Sequence, residues 1–309
     1  MGDIKFFRLN DKSVDEVPGT AMRLEKDLQN LFEYRKNLSN LMGIRFLKSE
    51  YKTTDGRIDT LGLDENNLPV IFEYKRDSNA NIVTQGLFYL DWLMDHRDSF
   101  HRLVQEEIDS KTAGKIDWSA PRLVLVAADF NRYDIHAIKQ IDRNIELVRY
   151  RKFENEWLML DLLTATVAKS PNPTTAKSPT AAVQERDVVQ RKEHRQIIAD
   201  ASGKLEALYE RLKGFLYELG DDVQERHLKD YVAFRRIKNF ACARLVQQKE
   251  NILVFVKGDI DDIDAAKKKF IQDVGDRGHV GTGNLRITIA SDDDLERAMN
   301  YIRRSYEEA

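Results

Sequence analysis

The feature that most constrains the fold is a pair of apolar segments, GRIDTLGLDE and LPVIFEYKRD, joined by a short polar stretch. Both segments have the length and composition of buried strands, and Asp64–Asn67 between them is typical of a hairpin turn. Each strand nevertheless carries charge where apolar residues are expected. Asp59 lies inside the first strand, and Glu73 and Lys75 lie at the end of the second. If both segments are strands of one sheet, that sheet must accommodate the Asp59 and Glu73 carboxylates among apolar residues.

Strand geometry predicts that these charges meet. Residues two apart on a strand point to the same face, so Glu73 and Lys75 share a face and Tyr74 points the other way. If the strands pair around the turn, Asp59 lies near Glu73. Two neighbouring carboxylates raise each other's pKa unless a cation lies between them, and Mg²⁺ or Mn²⁺ prefers oxygen ligands. Lys75 could then polarise or deprotonate a water, which predicts metal-assisted phosphodiester hydrolysis.

This constellation resembles the PD-(D/E)xK (restriction endonuclease-like) nuclease superfamily, over roughly residues 18–164. GRID places Asp59 at the first motif acid, and EYK supplies Glu73 and Lys75. Glu25, in RLEKDLQNLFE, resembles the extra glutamate that many members carry on the preceding helix. QGLFYLDWL resembles the glutamine-x-x-x-tyrosine on the following helix. The residue before the aspartate is isoleucine, where the superfamily has proline. The pattern looks especially like the RecB-type and archaeal mismatch or branched-DNA endonuclease branches.

The resemblance implies a role for each acid and for the lysine. Asp59 and Glu73 would bind Mg²⁺ or Mn²⁺, with the backbone carbonyl of Tyr74 as a further ligand. Lys75 would orient or activate the attacking water, and Glu25 would support a second metal or its water shell. The alternative for Asp59 is a turn or edge aspartate paired with Arg57 or Arg76. The alternative for Glu73 and Lys75 is a surface ion pair on a solvated strand face, and for Glu25 it is an ordinary helix-surface acid.

Four more residues are candidates for the substrate side of such a site. Gln85 and Tyr89, i and i+4 on one helix face, would steady the lysine or contact DNA phosphate. Arg57 and Arg76 flank the two strands and are candidates for DNA contact. The alternatives are a polar residue near the helix start for Gln85, a core position for Tyr89, and ordinary strand-flanking charges for the arginines.

Elements in the order α-β-β-β-α-β-α-β predict an α/β fold, with a mixed sheet flanked by helices, for residues 1–166. The stretch VAKSPNPTTAKSPTAAVQERD contains three of the six prolines and predicts a flexible linker over 167–190. A smaller α+β domain is predicted over 191–309. Its expected elements include a helix over 194–220, a helix DDIDAAKKKFIQDVG, and a final helix with Ser291 as its N-cap.

The C-terminal segment resembles an uncharacterised family (DUF5655-like), sometimes labelled predicted transport protein. Nothing in this segment supports transport, because no apolar run is long enough to cross a bilayer. Its strand YVAFRRIKNFACARL interleaves basic and aromatic residues, a composition that suits nucleic-acid contact. The alternative is a half-buried strand with a basic outer face. We expect the C-terminal domain to be a targeting or binding module that directs the nuclease.

Composition limits the remaining possibilities. The net charge of −3 excludes a basic nucleic-acid coat, and Cys242 as the single cysteine excludes an intrachain disulfide and a cysteine-rich zinc site. The N-terminus lacks the pattern of a signal peptide, so we expect a cytoplasmic protein. The preferred function is a metal-dependent DNA endonuclease in restriction, defence or repair, with a homodimer left open. The alternatives are a non-catalytic DNA-binding protein on the nuclease scaffold and a transport-associated or small-molecule-binding protein.

Overall fold

The computed structural model describes residues 4–76, 82–166, 194–201, 203–259, 270–275 and 281–309. The chain forms two compact units, Met1–Lys169 and Ser170–Ala309. The predicted linker over 167–190 lies outside the described residues. Within the described ranges, no helix has both the length and the apolar character needed to cross a bilayer.

A mixed sheet forms the centre of the N-terminal unit. The strands of the unit are β1 (Phe6–Leu9), β2 (Val14–Val17), β3 (Gly19–Thr20), β4 (Ile44–Lys52), β5 (Arg57–Asp64), β6 (Pro69–Lys75), β7 (Arg122–Ala127), β8 (Asn144–Phe153) and β9 (Trp157–Ala165). β1 and β2 form a separate hairpin. The other seven form one sheet in the order β3-β8-β7-β6-β5-β4, with β9 paired to β8. This sheet confirms the predicted fold class.

Helices cover both faces of that sheet. They are α1 (Glu25–Glu33), α2 (Asn37–Met42), α3 (Ile82–Asp95), α4 (Arg97–Glu107), α5 (Ser110–Ala113) and α6 (Arg132–Ile138). On one face, Phe32 of α1 contacts the ring of Tyr74 with centroids 5.5 Å apart. On the other face, Leu90 of α3 belongs to the same core cluster as Leu123. Because both faces are covered, every residue of β7 is buried.

The parallel strands β6, β7 and β8 place their carboxyl ends at one edge of the sheet. Lys75, Ala127 and Arg149 are paired in one row near this edge. The short strand β3 pairs antiparallel with the last residues of β8, beyond the end of β7. In α/β sheets, ligands bind outside the carboxyl ends of the strands, so this edge is where a site is expected.

A buried ion network holds the opposite edge of the sheet. Arg122 Nε and Nη2 donate to the two carboxylate oxygens of Glu146 at 2.9 and 2.8 Å, and Nη1 donates to Asp64 at 3.0 Å. Asp64 also accepts from the backbone N–H groups of Asn66 and Leu68 at 2.8 and 2.9 Å. The hairpin turn predicted between the two strands is therefore present, and β5, β7 and β8 are tied together at this edge.

The N-terminal helical segment differs from its prediction. The apolar spacing of VPGTAMRLEKDLQNLFEYRKNLSNLM predicts one helical segment, but the structure forms two helices: α1 ends at Glu33 and α2 begins at Asn37. Between them Arg35 adopts a left-handed backbone conformation with φ of 51°, which breaks the helix. The β1–β2 hairpin and β3 were not predicted either.

The C-terminal unit is an antiparallel sheet with helices, in agreement with the α+β expectation. Its strands are β10 (Gln224–His227), β11 (Val232–Arg235), β12 (Asn239–Val246), β13 (Asn251–Val256), β14 (Ile271–Asp273) and β15 (Leu285–Ile289). Its helices are α7 (His194–Ala199), α8 (Gly203–Glu218) and α9 (Asp292–Glu307). Apolar residues of α8 and α9 pack against one face of the sheet. Ser291 caps α9 as predicted, accepting from Asp294 N–H at 3.2 Å.

Three predictions for this unit are wrong in part. The helix expected over 194–220 is divided into α7 and α8. The helix expected in DDIDAAKKKFIQDVG ends instead in strand β14, and its earlier part lies outside the described residues. The aromatic residues proposed for nucleic-acid stacking, Tyr231, Phe234 and Phe240, are buried. They pack in the protein interior, so they present no surface to a nucleic acid.

Candidate active site

Asp59 and Glu73 lie side by side on neighbouring strands. β5 and β6 pair antiparallel with Thr60 opposite Phe72, which places Asp59 opposite Glu73. The backbone N–H of Asp59 donates to Glu73 Oε1 at 3.3 Å, and the two carboxyl groups are in hydrogen-bonding contact. Asp59 Oδ2 accepts from the backbone N–H of Tyr74 at 3.0 Å. The structure therefore brings together the two acids that the sequence places on separate strands.

Burial makes this pair of acids electrostatically unusual. The Glu73 side chain is fully buried, and this burial, together with the neighbouring Asp59 carboxylate, raises the pKa of Glu73 to about 9. Burial also raises the pKa of Asp59, although the Tyr74 N–H and the charge of Lys75 act in the opposite direction. At neutral pH Glu73 therefore keeps a proton unless a cation takes its place.

Lys75 completes the row on the same face as Glu73. Its Nζ pairs with Glu25 Oε2 at 3.3 Å, and its side chain is only 18% exposed. Its positive charge opposes the rise in the pKa of both Asp59 and Glu73, so the ammonium group lies close to both acids. Glu25, at the start of α1, is half-exposed and reaches the site through this ion pair.

Helix α3 contributes Gln85, which contacts Glu73. Gln85 Nε2 donates to Glu73 Oε2 at 2.7 Å. Glu73 is therefore held from two sides, with one carboxylate oxygen towards Asp59 and the other towards α3. The resemblance implied that Gln85 would steady Lys75 or contact phosphate. In the structure Gln85 positions Glu73, and Lys75 is held by Glu25 instead.

Tyr74 can contribute only its backbone to this site. Its side chain points to the opposite face of the sheet, where it is buried against the rings of Phe32 and Phe72 at centroid distances of 5.5 and 6.0 Å. This arrangement agrees with the alternation expected for a strand. The backbone carbonyl between Glu73 and Lys75 is the group that the resemblance implies as a metal ligand.

Arg57 and Arg76 are solvent-exposed, whereas Tyr89 is buried. Arg57 Nε pairs with Glu50 at 2.5 Å, and its backbone N–H donates to the Tyr89 hydroxyl at 3.1 Å. A Cβ at Gly56 would lie 2.6 Å from the same hydroxyl, so only glycine leaves room for it. Tyr89 therefore supports the backbone of the GRID motif from inside the core and presents no surface to a phosphate.

Glu50 is a third carboxylate of the site that sequence reasoning missed. The register of β4 and β5 places it opposite Asp59. It accepts from Lys26 Nζ at 2.8 Å and from Arg57 Nε at 2.5 Å. Although burial acts in the opposite direction, the hydrogen bonds from Lys26 and Gln29 lower the pKa of Glu50. Its charge contributes to raising the pKa of Asp59.

The backbone explains why the sequence does not reveal Glu50. A bulge earlier in β4 shifts the register by one residue, and Glu50 itself has a left-handed φ of 55°. Neither the bulge nor the left-handed residue can be recognised from the pattern of apolar residues in IRFLKSEYKT. Gln29 of α1 was also missed: it is buried and donates to the backbone carbonyl of Asp59 at 2.8 Å, which ties α1 to β5.

The donor set at this site fits a hard divalent cation. Among the described residues, no three His, Cys, Asp or Glu side chains are arranged to hold a metal ion together. Asp59 and Glu73 supply two carboxylates in contact. Mg²⁺ needs no more than one or two protein carboxylates, because water and substrate phosphate fill its other positions. Burial and the neighbouring Asp59 carboxylate raise the pKa of Glu73 in spite of the charge of Lys75, so a bound cation would stabilise the charged form of this pair.

Two family models match separate parts of the chain. The model described as the endonuclease NucS C-terminal domain matches residues 24–110, which contain all nine candidate site residues predicted from the sequence. The model described as a domain of unknown function, DUF5655, matches residues 195–309. These matches confirm both resemblances stated from the sequence.

Two solved structures show weaker similarity. A crystal structure of a repair endonuclease from Pyrococcus abyssi is 21% identical, with a TM-score of 0.28, over 46% of this chain and 51% of that chain. A structure of an EndoMS–dsDNA complex is 18% identical, with a TM-score of 0.25, over 46% of this chain and 49% of that chain. This chain thus spans about half of each.

One relative matches over almost the full length. An uncharacterised protein from Haemophilus influenzae (strain ATCC 51907 / DSM 11121 / KW20 / Rd) is 30% identical over 313 residues, covering 98% of this chain and 99% of the relative. The chain therefore belongs to the same family as this Haemophilus influenzae protein, and it carries an N-terminal domain of the PD-(D/E)xK nuclease superfamily and a C-terminal DUF5655 domain.

Proposed function

We propose that the N-terminal unit is a Mg²⁺- or Mn²⁺-dependent DNA endonuclease that hydrolyses phosphodiester bonds. The observation that carries the proposal is the contact between Asp59 and Glu73 across β5 and β6, with Lys75 beside them. A buried pair of ionised acids destabilises a fold unless a proton or a cation compensates, because each charge loses its hydration, and a bound metal ion would provide that compensation. The match to the endonuclease model over the same residues supports the proposal.

Asp59, Glu73 and the backbone carbonyl of Tyr74 would hold the cation. A bound Mg²⁺ or Mn²⁺ supplies Lewis-acid polarisation of a phosphoryl oxygen and acidifies a water. Gln85 fixes the Glu73 carboxylate in one orientation, since it donates to Oε2 at 2.7 Å. The Tyr74 N–H fixes Asp59 in the same way at 3.0 Å. These two hydrogen bonds orient both acids before any ligand arrives.

Lys75 is the proposed residue that orients the attacking water and stabilises the negative charge that develops on the phosphate. Its side chain is mostly buried, so its charge acts through a medium of low polarity and is weakly screened. Glu25 holds the ammonium group from the solvent side at 3.3 Å. Glu25 is therefore proposed to position Lys75, in addition to supporting a second metal or its water shell.

Arg57 and Arg76 are the proposed contacts to the DNA backbone. Both are exposed and flank the strands that carry the acids. Arginine suits this role because its guanidinium group can donate two parallel hydrogen bonds to a phosphate. The resemblance implied DNA contact for Tyr89 as well. Because Tyr89 is buried, we propose instead that it positions Arg57 through its backbone N–H.

Nicking of supercoiled plasmid DNA by the full chain tests the proposal. We expect cleavage in Mg²⁺ or Mn²⁺ that stops in EDTA. Lys75→Met should lower the cleavage rate by a factor on the order of 10² to 10⁴. Lys48→Met is the matched control, because Lys48 is an exposed lysine of β4 that pairs with Glu107 at 3.4 Å, and its rate should stay within about twofold of the wild type.

Two results would contradict the proposal. If Lys75→Met cuts as fast as the wild type, this site does not perform the reaction. If the wild-type chain shifts DNA on a gel but cleaves none in either metal, the protein is a DNA-binding protein on a nuclease scaffold.

A further inference from the structure

A cavity of about 550 Å³ lies in the N-terminal unit beside the carboxyl ends of the parallel strands. The β1–β2 hairpin forms one wall, and the ends of β8 and β9 form the other. Its volume is within the range of about 300–1,000 Å³ that small-molecule sites occupy. The charged residues that line it are Lys5, Glu16, Asp129, Arg149 and Arg151.

The register of the sheet places this cavity next to the candidate active site. Lys75, Ala127 and Arg149 form one row across β6, β7 and β8. Neighbouring strands are about 4.8 Å apart, so the backbones of Lys75 and Arg149 are separated by roughly 10 Å. Residues two apart share a face, so Arg149 and Arg151 point to the same face as Lys75. Asp129, two residues after the end of β7, also lines the cavity.

The two arginines of the cavity retain capacity to bind an anion. Arg149 Nη2 pairs with Asp161 at 2.6 Å, but its buried Nε has no hydrogen-bond partner. Arg151 is half-buried and makes no hydrogen bond or ion pair with the part of the chain that the structure describes. A half-buried guanidinium group without a carboxylate partner is suited to phosphate, which it can bind through two hydrogen bonds.

The rest of the lining favours a nucleotide over a simple anion. Glu16 Oε2 pairs with Lys5 at 3.3 Å, and Asp129 Oδ1 accepts from the Phe130 N–H at 2.9 Å. The second oxygen of each carboxylate can accept a hydrogen bond from the amino group of a base. Ile4, Pro18 and Met159, which line the cavity and are at least partly exposed, give it apolar surface for a base or sugar. A nucleotide unit combines the required anion, hydrogen-bond donors and apolar faces.

We propose that this cavity binds one nucleotide unit of the substrate strand, adjacent to the scissile phosphodiester, with its phosphate on Arg151. The proposal deepens the proposed function and rests on it. Arg57 would contact the DNA strand on one side of Asp59 and Glu73, and the cavity would bind it on the other side. The protein would therefore contact the strand on both sides of the scissile phosphate.

Arg151→Gln tests the cavity, and Arg143→Gln is its matched control. Arg143 precedes β8 at the other edge of the sheet, where it is exposed and pairs with Asp91 at 3.6 Å. Binding of a fluorescent DNA oligonucleotide is measured by anisotropy in EDTA over a series of salt concentrations. We expect Arg151→Gln to weaken binding roughly tenfold and to lower the salt slope by about one, whereas Arg143→Gln changes neither.

A scan of single methylphosphonate substitutions in the oligonucleotide identifies the phosphate involved. For the wild type, neutralising one phosphate within a few nucleotides of the mapped cut should weaken binding, and Arg151→Gln should be insensitive at that phosphate only. If Arg151→Gln binds like the wild type, or loses affinity without losing sensitivity at any one phosphate, the cavity proposal is wrong, while cleavage by the wild type keeps the proposed function intact. If the wild type neither binds nor cleaves DNA, both proposals fail.

Discussion

Replacing Glu73 with glutamine should stabilise the metal-free protein while abolishing cleavage. Glutamine keeps the shape of the side chain, and its oxygen can still accept from Gln85, as Glu73 Oε2 does at 2.7 Å. Its amide group can donate to the Asp59 carboxylate, which now contacts another acid. The substitution loses a long hydrogen bond from the Asp59 N–H, at 3.3 Å, and removes a buried acid.

The sign and size of the effect follow from the pKa of Glu73, which is raised by burial from 4.5 to about 9. Between these values the folded protein binds more protons than the unfolded chain, so the free energy of unfolding of the wild type falls as the pH rises. At about 1.4 kcal/mol per unit, pH 7 gives an upper limit of roughly 3.4 kcal/mol. Lys75 and Gln85 can rearrange around an ionised Glu73, and this rearrangement makes the real cost smaller than the upper limit. We therefore expect Glu73→Gln to raise the free energy of unfolding by about 1–2 kcal/mol at pH 7.

Chemical denaturation followed by tryptophan fluorescence measures this effect. The three tryptophans, Trp92, Trp118 and Trp157, all lie in the N-terminal unit, so their emission reports the unfolding of that unit. In EDTA, the two proteins should have equal stability near pH 4.5 and diverge as the pH rises towards 9. Adding Mn²⁺ should raise the Tm of the wild type and leave that of Glu73→Gln unchanged. The reasoning would be refuted if Glu73→Gln were no more stable than the wild type at pH 7. It would also be refuted if the difference in stability between the two proteins did not widen as the pH rises.

Three further outcomes are expected. At limiting Mn²⁺, the cleavage rate should rise with pH towards about 9, because the metal competes with the proton on Glu73; a flat profile in single-turnover assays would count against this site. Arg122→Met should cost about 3–5 kcal/mol in the same fluorescence assay, since it leaves Asp64 and Glu146 buried without their cation; a loss below about 1 kcal/mol would contradict this view of the network. Tyr89→Phe should cost about 1 kcal/mol and leave the cleavage rate nearly unchanged, whereas a large loss of rate would show that the hydroxyl acts in the reaction.

The meeting of Asp59 and Glu73 could be predicted because local rules determine it. A hairpin turn of known position fixes which residues face each other, and the two-residue period of a strand fixes their side. Lys75 follows from the same period. The mixed sheet also follows from the order of apolar segments, since a strand such as β7, which is apolar after Arg122, requires cover on both faces.

Other parts of the site could not be predicted, because they depend on contacts between elements. The pairing of Gln85 with Glu73 depends on the rotation of α3 over the sheet, which helical spacing alone does not fix. Glu50 enters the site through a bulge and a left-handed residue, and neither alters the sequence pattern. The β1–β2 hairpin could not be predicted, because its strands are short and mostly exposed and therefore lack apolar alternation.

The close approach between Gly56 and the Tyr89 hydroxyl links two positions that are far apart along the chain. A larger residue at position 56 is compatible with this packing only if position 89 gives up its hydroxyl. We therefore expect these positions to change together in libraries selected for folding, with glycine accompanying tyrosine and alanine accompanying phenylalanine. The glycine of GRID is thus constrained by its contact with Tyr89 of the core helix α3.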